Sequence, residues 1–182
     1  MTSPTGNRRI DRLLAPGYLS RLDQRPTEEI RAMRGEAEQE ETELSYLRRL
    51  LQGRVDILRA EQSRRSGDGP AGSLIDALPQ ILADERVPSH GLGRHAAVEP
   101  SDVESHRRYV ESLVSDGDLS NPSSLDDDRL GRMLDVLVRE EADVSRTRRS
   151  VQAVMDTLTA ELGRRYKDGV VDVTEVLHIE SE

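Results

Sequence analysis

EETELSYLRRLLQGRVD, at residues 40–56, and EEADVSRTRRSVQAVMD, at residues 140–156, share one polar pattern. The pattern is Glu-x3-Ser-x2-Arg-x3-Gln-x3-Asp. Its members are Glu41, Ser45, Arg48, Gln52 and Asp56 in the first segment, and Glu141, Ser145, Arg148, Gln152 and Asp156 in the second. Steps of three and four residues are typical of one face of an α-helix. The two segments therefore predict a pair of related helices.

Each segment lies within a longer stretch that has helical periodicity. The first stretch runs from Thr27 to about Arg65, and the second runs from Ser124 to about Lys167, with acidic residues in its first turn. An apolar stripe is expected along each helix, through Leu44, Leu47, Leu51, Val55 and Leu58 in the first and Met133, Leu137, Val144, Val151, Met155 and Leu158 in the second.

These features predict an all-α fold, namely a long antiparallel two-helix coiled coil with short connecting helices and irregular termini. Five segments are expected in this organisation. They are a flexible N-terminal partner-docking segment (1–26), the first coiled-coil helix (27–66), a connector with short helices (67–123), the second coiled-coil helix (124–168) and a C-terminal tail (169–182).

Composition restricts the possible functions. The formal net charge is -9, which argues against a general nucleic-acid binder because nonspecific affinity depends on Lys and Arg that neutralise phosphates. The chain has no Cys, which excludes thiol catalysis and is compatible with a reducing compartment. No apolar run is long enough to span a bilayer or to act as a signal core. We therefore expect a cytoplasmic protein.

The five pattern residues of each helix form a polar row beside the apolar stripe, within an arc of about 80°. All five are identical between the two helices, whereas several apolar positions differ. A repeat kept only for packing would retain its apolar positions at least as well, so the comparison favours a ligand. For either helix alone, a solvated charged face is the better interpretation.

The chemistry of the rows indicates the kind of ligand. Two antiparallel helices with the same row are related by a local two-fold axis, so a symmetric ligand fits best. Each row is about 22 Å long, which exceeds one mononucleotide. Arg donors suit phosphate or the O6/N7 edge of guanine, and carboxylates accept hydrogen bonds from guanine N1 and N2.

This duplicated pattern resembles the signature of the RsiG family of actinobacterial anti-sigma factors. The resemblance implies that the coiled coil binds cyclic di-GMP, as a self-stacked dimer held against a WhiG-type flagellar-family sigma factor. Both copies are complete, so the resemblance extends to all ten positions. Arg48 and Arg148 are expected at guanine edges or phosphates, and Asp56 and Asp156 at guanine N–H groups. The remaining positions are expected to complete base recognition (Glu41, Glu141, Gln52 and Gln152) or to lie near phosphate or ribose (Ser45 and Ser145).

Other functions receive less support from the sequence. The four histidines lack the spacing of a zinc site, and no P-loop, G-x-S-x-G or H-E-x-x-H motif is present, so neither a metal nor an enzymatic activity is expected. The alternative is a coiled-coil adaptor whose partner binding does not depend on a nucleotide.

Two further segments contain apolar residues that are expected to dock either onto a partner or onto the coiled coil. They are Ile10, Leu13, Leu14 and Leu19 in the first, and Leu74, Ile75, Leu78, Ile81 and Leu82 in the second.

Overall fold

The computed structural model describes residues 9–67, 103–113 and 121–169. Four α-helices lie in these ranges: α1 (Arg9–Leu13), α2 (Thr27–Ser66), α3 (Val103–Leu113) and α4 (Asp127–Lys167). Short 3-10 turns precede the two long helices, at Leu22–Gln24 and Pro122–Ser124. No strand occurs in the described ranges. The predicted all-α fold is confirmed, with the long helices α2 and α4 packed against each other.

The chain divides into two compact units. Unit 1 comprises residues 1–42 and 147–182, and unit 2 comprises residues 43–146. Both α2 and α4 therefore contribute a segment to each unit. The described part of each unit has its own core of aliphatic side chains, which suits a narrow seam between two helices.

In unit 1, two hydrogen bonds establish the antiparallel direction of the helices. Arg31 Nη2 donates to Tyr166 Oη at 2.8 Å, and Arg34 Nε donates to Thr159 Oγ1 at 3.2 Å. The residue number on α4 falls as the number on α2 rises. The core between the helices consists of Ile30, Met33, Ala37, Val151, Val154, Leu158 and Leu162.

In unit 2, Arg65 bonds to Asp127 at 2.6 Å and Arg48 bonds to Glu141 at 3.1 Å, which again gives an antiparallel pair. The core contains Leu44, Leu47, Leu51, Val55, Leu58, Leu125, Leu130, Met133, Leu137 and Val144. The apolar stripe predicted for the first helix is therefore buried at every position.

One predicted position on the second stripe is wrong. Met155 is only half-buried, whereas Val154 is 7% exposed and belongs to the core. Steps of three and then four residues, from Val151 through Val154 to Leu158, keep these side chains on the seam. The sequence also admits four and then three, because an apolar residue is present at both positions.

The second long helix begins three residues later than predicted. Ser124 ends a 3-10 turn and Leu125 is extended, with φ -75° and ψ 145°. Asp126 then caps the helix, since its Oδ1 accepts a hydrogen bond from the backbone N–H of Arg129 at 2.7 Å. A polar side chain that competes for the first free N–H groups determines where the helix starts.

Buried charges fix the end of α2 in unit 2. Glu61 is 0% exposed, and its Oε1 accepts a hydrogen bond from Arg65 Nε at 2.8 Å. The same guanidinium donates to Pro122 O at 3.0 Å and to Asp127 Oδ1 at 2.6 Å. Arg65 thus holds the C-terminal end of α2 to the N-terminal end of α4.

The same arrangement fixes the end of α4 in unit 1. Arg165 Nε donates to Glu161 Oε1 at 2.8 Å, and its other nitrogens donate to Leu22 O at 2.6 Å and Thr27 Oγ1 at 2.9 Å. Every member of this cluster has its counterpart 100 residues away in unit 2. The internal duplication therefore extends from the 3-10 turns to the ends of both long helices.

The N-terminal segment packs on α2 within unit 1. Leu13 is 1% exposed, and Arg9 Nε donates to Glu40 Oε2 at 2.8 Å. Ile10 and Leu19 are half-buried, while Leu14 is 40% exposed. Of the two alternatives for this segment, the described residues favour packing on the coiled coil, and docking onto a partner stays a prediction.

Part of the predicted connector can also be placed. Helix α3 belongs to unit 2, where Tyr109 Oη donates to Glu140 Oε1 at 2.5 Å. The second predicted docking segment, from Leu74 to Leu82, lies outside the described residues. Every helix that the structure describes is too polar or too short to cross a bilayer.

Candidate functional site

The two polar rows lie beside the buried seam, as the helical angles predict. Nine of the ten pattern residues are half-buried, and Asp156 is exposed. This position gives each side chain one side against protein and one side toward solvent. Such placement leaves donors and acceptors partly desolvated yet accessible to a ligand.

In unit 2, four pattern residues form one hydrogen-bonded cluster around Glu141. Its Oε1 accepts hydrogen bonds from Arg48 Nε at 3.1 Å, from Gln52 Nε2 at 3.2 Å and from Ser145 Oγ at 2.9 Å. Arg48 Nε also lies 3.1 Å from Ser145 Oγ. Because Arg48 and Gln52 are one helical turn apart, both reach the same carboxylate on the antiparallel helix.

In unit 1, the corresponding cluster forms around Glu41. Its Oε1 accepts hydrogen bonds from Arg148 Nη1 at 2.7 Å and from Gln152 Nε2 at 3.0 Å. The Glu of the first pattern thus bonds to the Arg and Gln of the second, and the reverse holds in unit 2. We call these clusters the Glu41 half-site and the Glu141 half-site.

The remaining predicted site residues are Ser45, Asp56 and Asp156. Ser45 and Asp56 are half-buried on α2, and Asp156 is exposed on α4. Asp56 lines the same groove as members of the Glu141 half-site.

That groove lies in unit 2 and has a volume of about 150 Å³. Its lining residues are Gln52, Val55, Asp56, Arg59, Val138 and Glu141. Sites that enclose small molecules usually measure roughly 300–1,000 Å³, so a ligand of that size would lie along this groove instead of being enclosed by it. Arg59 and Val138 are not part of the repeated pattern, so the pattern alone did not identify them.

The polar groups of the groove are incompletely matched. Gln52 donates through Nε2 to Glu141, while its Oε1 is buried and accepts no hydrogen bond from any residue that the structure describes. Burial raises the pKa of the Asp56 carboxyl, and the nearby Arg59 guanidinium acts in the opposite direction. Both acceptors would be stabilised by an N–H donor placed in the groove.

Metal ligation receives no support from the described ranges, in which no three His, Asp or Glu side chains lie together as a metal site requires. His106 is the described histidine, and its Nε2 lies 4.0 Å from Glu43 Oε2. The other three histidines fall outside the described residues.

Comparison with protein families matches the chain over residues 16–82 and 116–180, which together make up most of its length. The matching family is described as RsiG-like. This chain belongs to the RsiG-like family. The two matched segments of this RsiG-like protein begin 100 residues apart, the spacing that also separates its two polar rows and its two helix-end clusters. No curated protein matches the chain.

Membership defines the general function. The RsiG-like family is a family of anti-sigma factors, which are regulators of transcription initiation and not enzymes. The kind of partner that membership implies is a sigma factor.

Proposed function

We propose that this RsiG-like protein binds cyclic di-GMP through the two half-sites and, with the ligand bound, sequesters a WhiG-type sigma factor. Transcription from promoters that need this sigma factor would be blocked while the second messenger is abundant. The observation that carries the proposal is the reciprocity of the Glu41 and Glu141 half-sites. A ligand with two equivalent halves is the natural match for two equivalent sets of donors and acceptors.

The side chains also have the chemistry that guanine requires. The Arg48 and Arg148 guanidinium groups can donate to guanine O6 and N7 or to phosphate. Asp56 and the unused Gln52 Oε1 can accept from guanine N1 and N2. The chain has no Phe or Trp, and none of its four Tyr belongs to the two rows. Bases held by the rows would therefore stack on one another or on guanidinium planes, which agrees with a self-stacked ligand.

Ligand binding requires the half-sites to rearrange. Arg48 and Arg148 each bond to a carboxylate, so a guanine or phosphate that engages the same nitrogens must compete with Glu141 or Glu41. The side chains of these pairs are 20–33% exposed, and ion pairs that solvent reaches contribute about 0–1 kcal/mol each. A charge-assisted contact to a ligand can offset that cost.

The same pairs support a second candidate function. If they serve only to hold α2 and α4 in register, the protein is an adaptor that binds its partner without a nucleotide. That function predicts equal capture of the sigma factor with and without cyclic di-GMP.

Capture of the purified sigma factor by the full chain, with and without cyclic di-GMP, tests the proposal. We expect capture only with the dinucleotide, and we expect the double variant Arg48→Ala/Arg148→Ala to abolish it. The matched control is Arg49→Ala/Arg149→Ala, which removes two neighbouring arginines that are exposed and also duplicated. Ligand-independent capture, or unchanged capture by the Arg48/Arg148 variant, would refute the proposal.

A further inference from the structure

The two half-sites differ at one position next to the polar row. Arg59 follows Asp56 by three residues, whereas the corresponding position after Asp156 is Thr159. In unit 1, the Thr159 hydroxyl accepts a hydrogen bond from Arg34 Nε at 3.2 Å, and Arg34 also pairs with Glu38 at 3.3 Å. The guanidinium near Thr159, which is that of Arg34, is therefore already paired with the Glu38 carboxylate.

The surroundings of Arg59 differ from those of Arg34. It is exposed, lines the groove of the Glu141 half-site, and makes no hydrogen bond or ion pair with any residue that the structure describes. Its charge acts on Asp56, which is the groove carboxylate closest to it in sequence. Arg48, by contrast, donates to Glu141 and Ser145.

The charge balance of the groove makes Arg59 important for an anionic ligand. Two carboxylates, Asp56 and Glu141, line the groove, and Arg59 is the cation that lines it with them. A cyclic dinucleotide carries two phosphodiester charges, which these carboxylates repel. A guanidinium with unused donors can offset this repulsion and form a bidentate contact with phosphate oxygens.

We propose that Arg59 is a phosphate-binding residue outside the repeated pattern and that it makes the Glu141 half-site the stronger of the two. This inference rests on the proposed function, since it concerns how the same ligand is held. It assigns base recognition mainly to the duplicated residues and phosphate recognition in unit 2 to a residue that is not duplicated.

Calorimetric titration of the full chain with cyclic di-GMP at several salt concentrations tests this assignment. We expect Arg59→Thr, which places in unit 2 the residue found in unit 1, to weaken binding by about tenfold or more, because it removes a charge-assisted contact. We also expect a smaller dependence of affinity on salt, because one phosphate contact is lost. The reciprocal variant Thr159→Arg should strengthen binding.

The matched control is Arg132→Thr, which removes an exposed arginine of unit 2 that does not line the groove. It changes the net charge equally and should leave affinity nearly unchanged. If Arg59→Thr binds as tightly as the unmodified chain, with the same salt dependence, Arg59 is not a phosphate ligand and the proposed function stands. If the unmodified chain does not bind cyclic di-GMP, both proposals are overturned.

Discussion

Replacing Glu61 by Gln should destabilise the protein more than any exposed Glu→Gln change. Glu61 is 0% exposed, and its two carboxylate oxygens accept three hydrogen bonds of 2.8 Å from Arg64 and Arg65. A Gln amide keeps one acceptor oxygen but turns an NH2 group toward guanidinium donors. The variant therefore loses both the charge and part of the hydrogen bonding while the arginines remain.

The size of the effect follows from the pKa of the carboxyl group. Hydrogen bonds from Arg64 outweigh the effect of burial and lower the pKa of Glu61 from 4.5 to about 2. Since one pKa unit corresponds to about 1.4 kcal/mol, the ionised group stabilises the fold by about 3 kcal/mol at neutral pH. A lowered folded-state pKa means that this contribution is complete above pH 4.5 and is lost as the pH falls toward 2.

Urea unfolding followed by the helical circular dichroism signal measures this prediction. At pH 7 we expect Glu61→Gln to lower the free energy of unfolding by about 3 kcal/mol, and at pH 3 by only about 1 kcal/mol, because the carboxylate then contributes less. The matched control Glu36→Gln removes a 46% exposed side chain with one 3.3 Å contact and should cost under about 1 kcal/mol. Equal effects of the two variants, or a Glu61→Gln effect independent of pH, would show that the ionised Glu61 carboxylate does not stabilise the fold.

Two further predictions concern the half-sites. In double-mutant cycles on the free energy of unfolding, Arg48→Ala combined with Glu141→Ala should show a coupling of about 1 kcal/mol. The equivalent pair, Arg148→Ala with Glu41→Ala, should show the same coupling. The control pair, Arg48→Ala with Glu41→Ala, should be additive, and the reverse result would contradict the antiparallel register. Affinity for cyclic di-GMP should fall as the pH is lowered through the raised pKa of Asp56, since the ionised carboxylate accepts a guanine N–H bond more strongly than the protonated group does. Titrations from pH 7 to pH 4 should show a flatter profile for Asp56→Asn, and identical profiles would exclude Asp56 from the site.

Helical periodicity was sufficient to predict the fold because the spacing of apolar residues can be recognised in each helix by itself. The stripe from Leu44 to Leu58 is buried as predicted, and the long helices lie close to the predicted ranges. The error in the second apolar stripe occurred where two neighbouring residues could both occupy the seam. Val154 and Met155 both offer an apolar side chain, and only packing against α2 selects Val154.

The positions of the two polar rows on their helices could be predicted, but the contacts between the rows could not. Repetition of the polar pattern identified both rows, yet the sequence does not state which residue of α4 lies opposite Arg48. The antiparallel register decides this, and it brings Arg48 to Glu141. Arg59 and Val138 were missed for two reasons. The antiparallel register determines that they line the groove, and neither residue is repeated at the equivalent position of the other helix.

The clusters at the helix ends were missed for another reason. Glu61 and Glu161 were recognisable as matched positions, and each is followed three and four residues later by two arginines. That repeated Glu-x2-Arg-Arg spacing was a usable signal. What it could not indicate is that Arg65 and Arg165 also reach backbone carbonyls before the opposite helix.

The most direct test is an experimental structure of the chain bound to cyclic di-GMP, with the distances from guanine and phosphate atoms to the two rows measured. We expect ligand atoms within about 3.2 Å of the side-chain nitrogens of Arg48 and Arg148 and of acceptors in both half-sites. Intact Arg48–Glu141 and Arg148–Glu41 pairs, with the dinucleotide bound elsewhere on the molecule, would contradict the proposed binding mode.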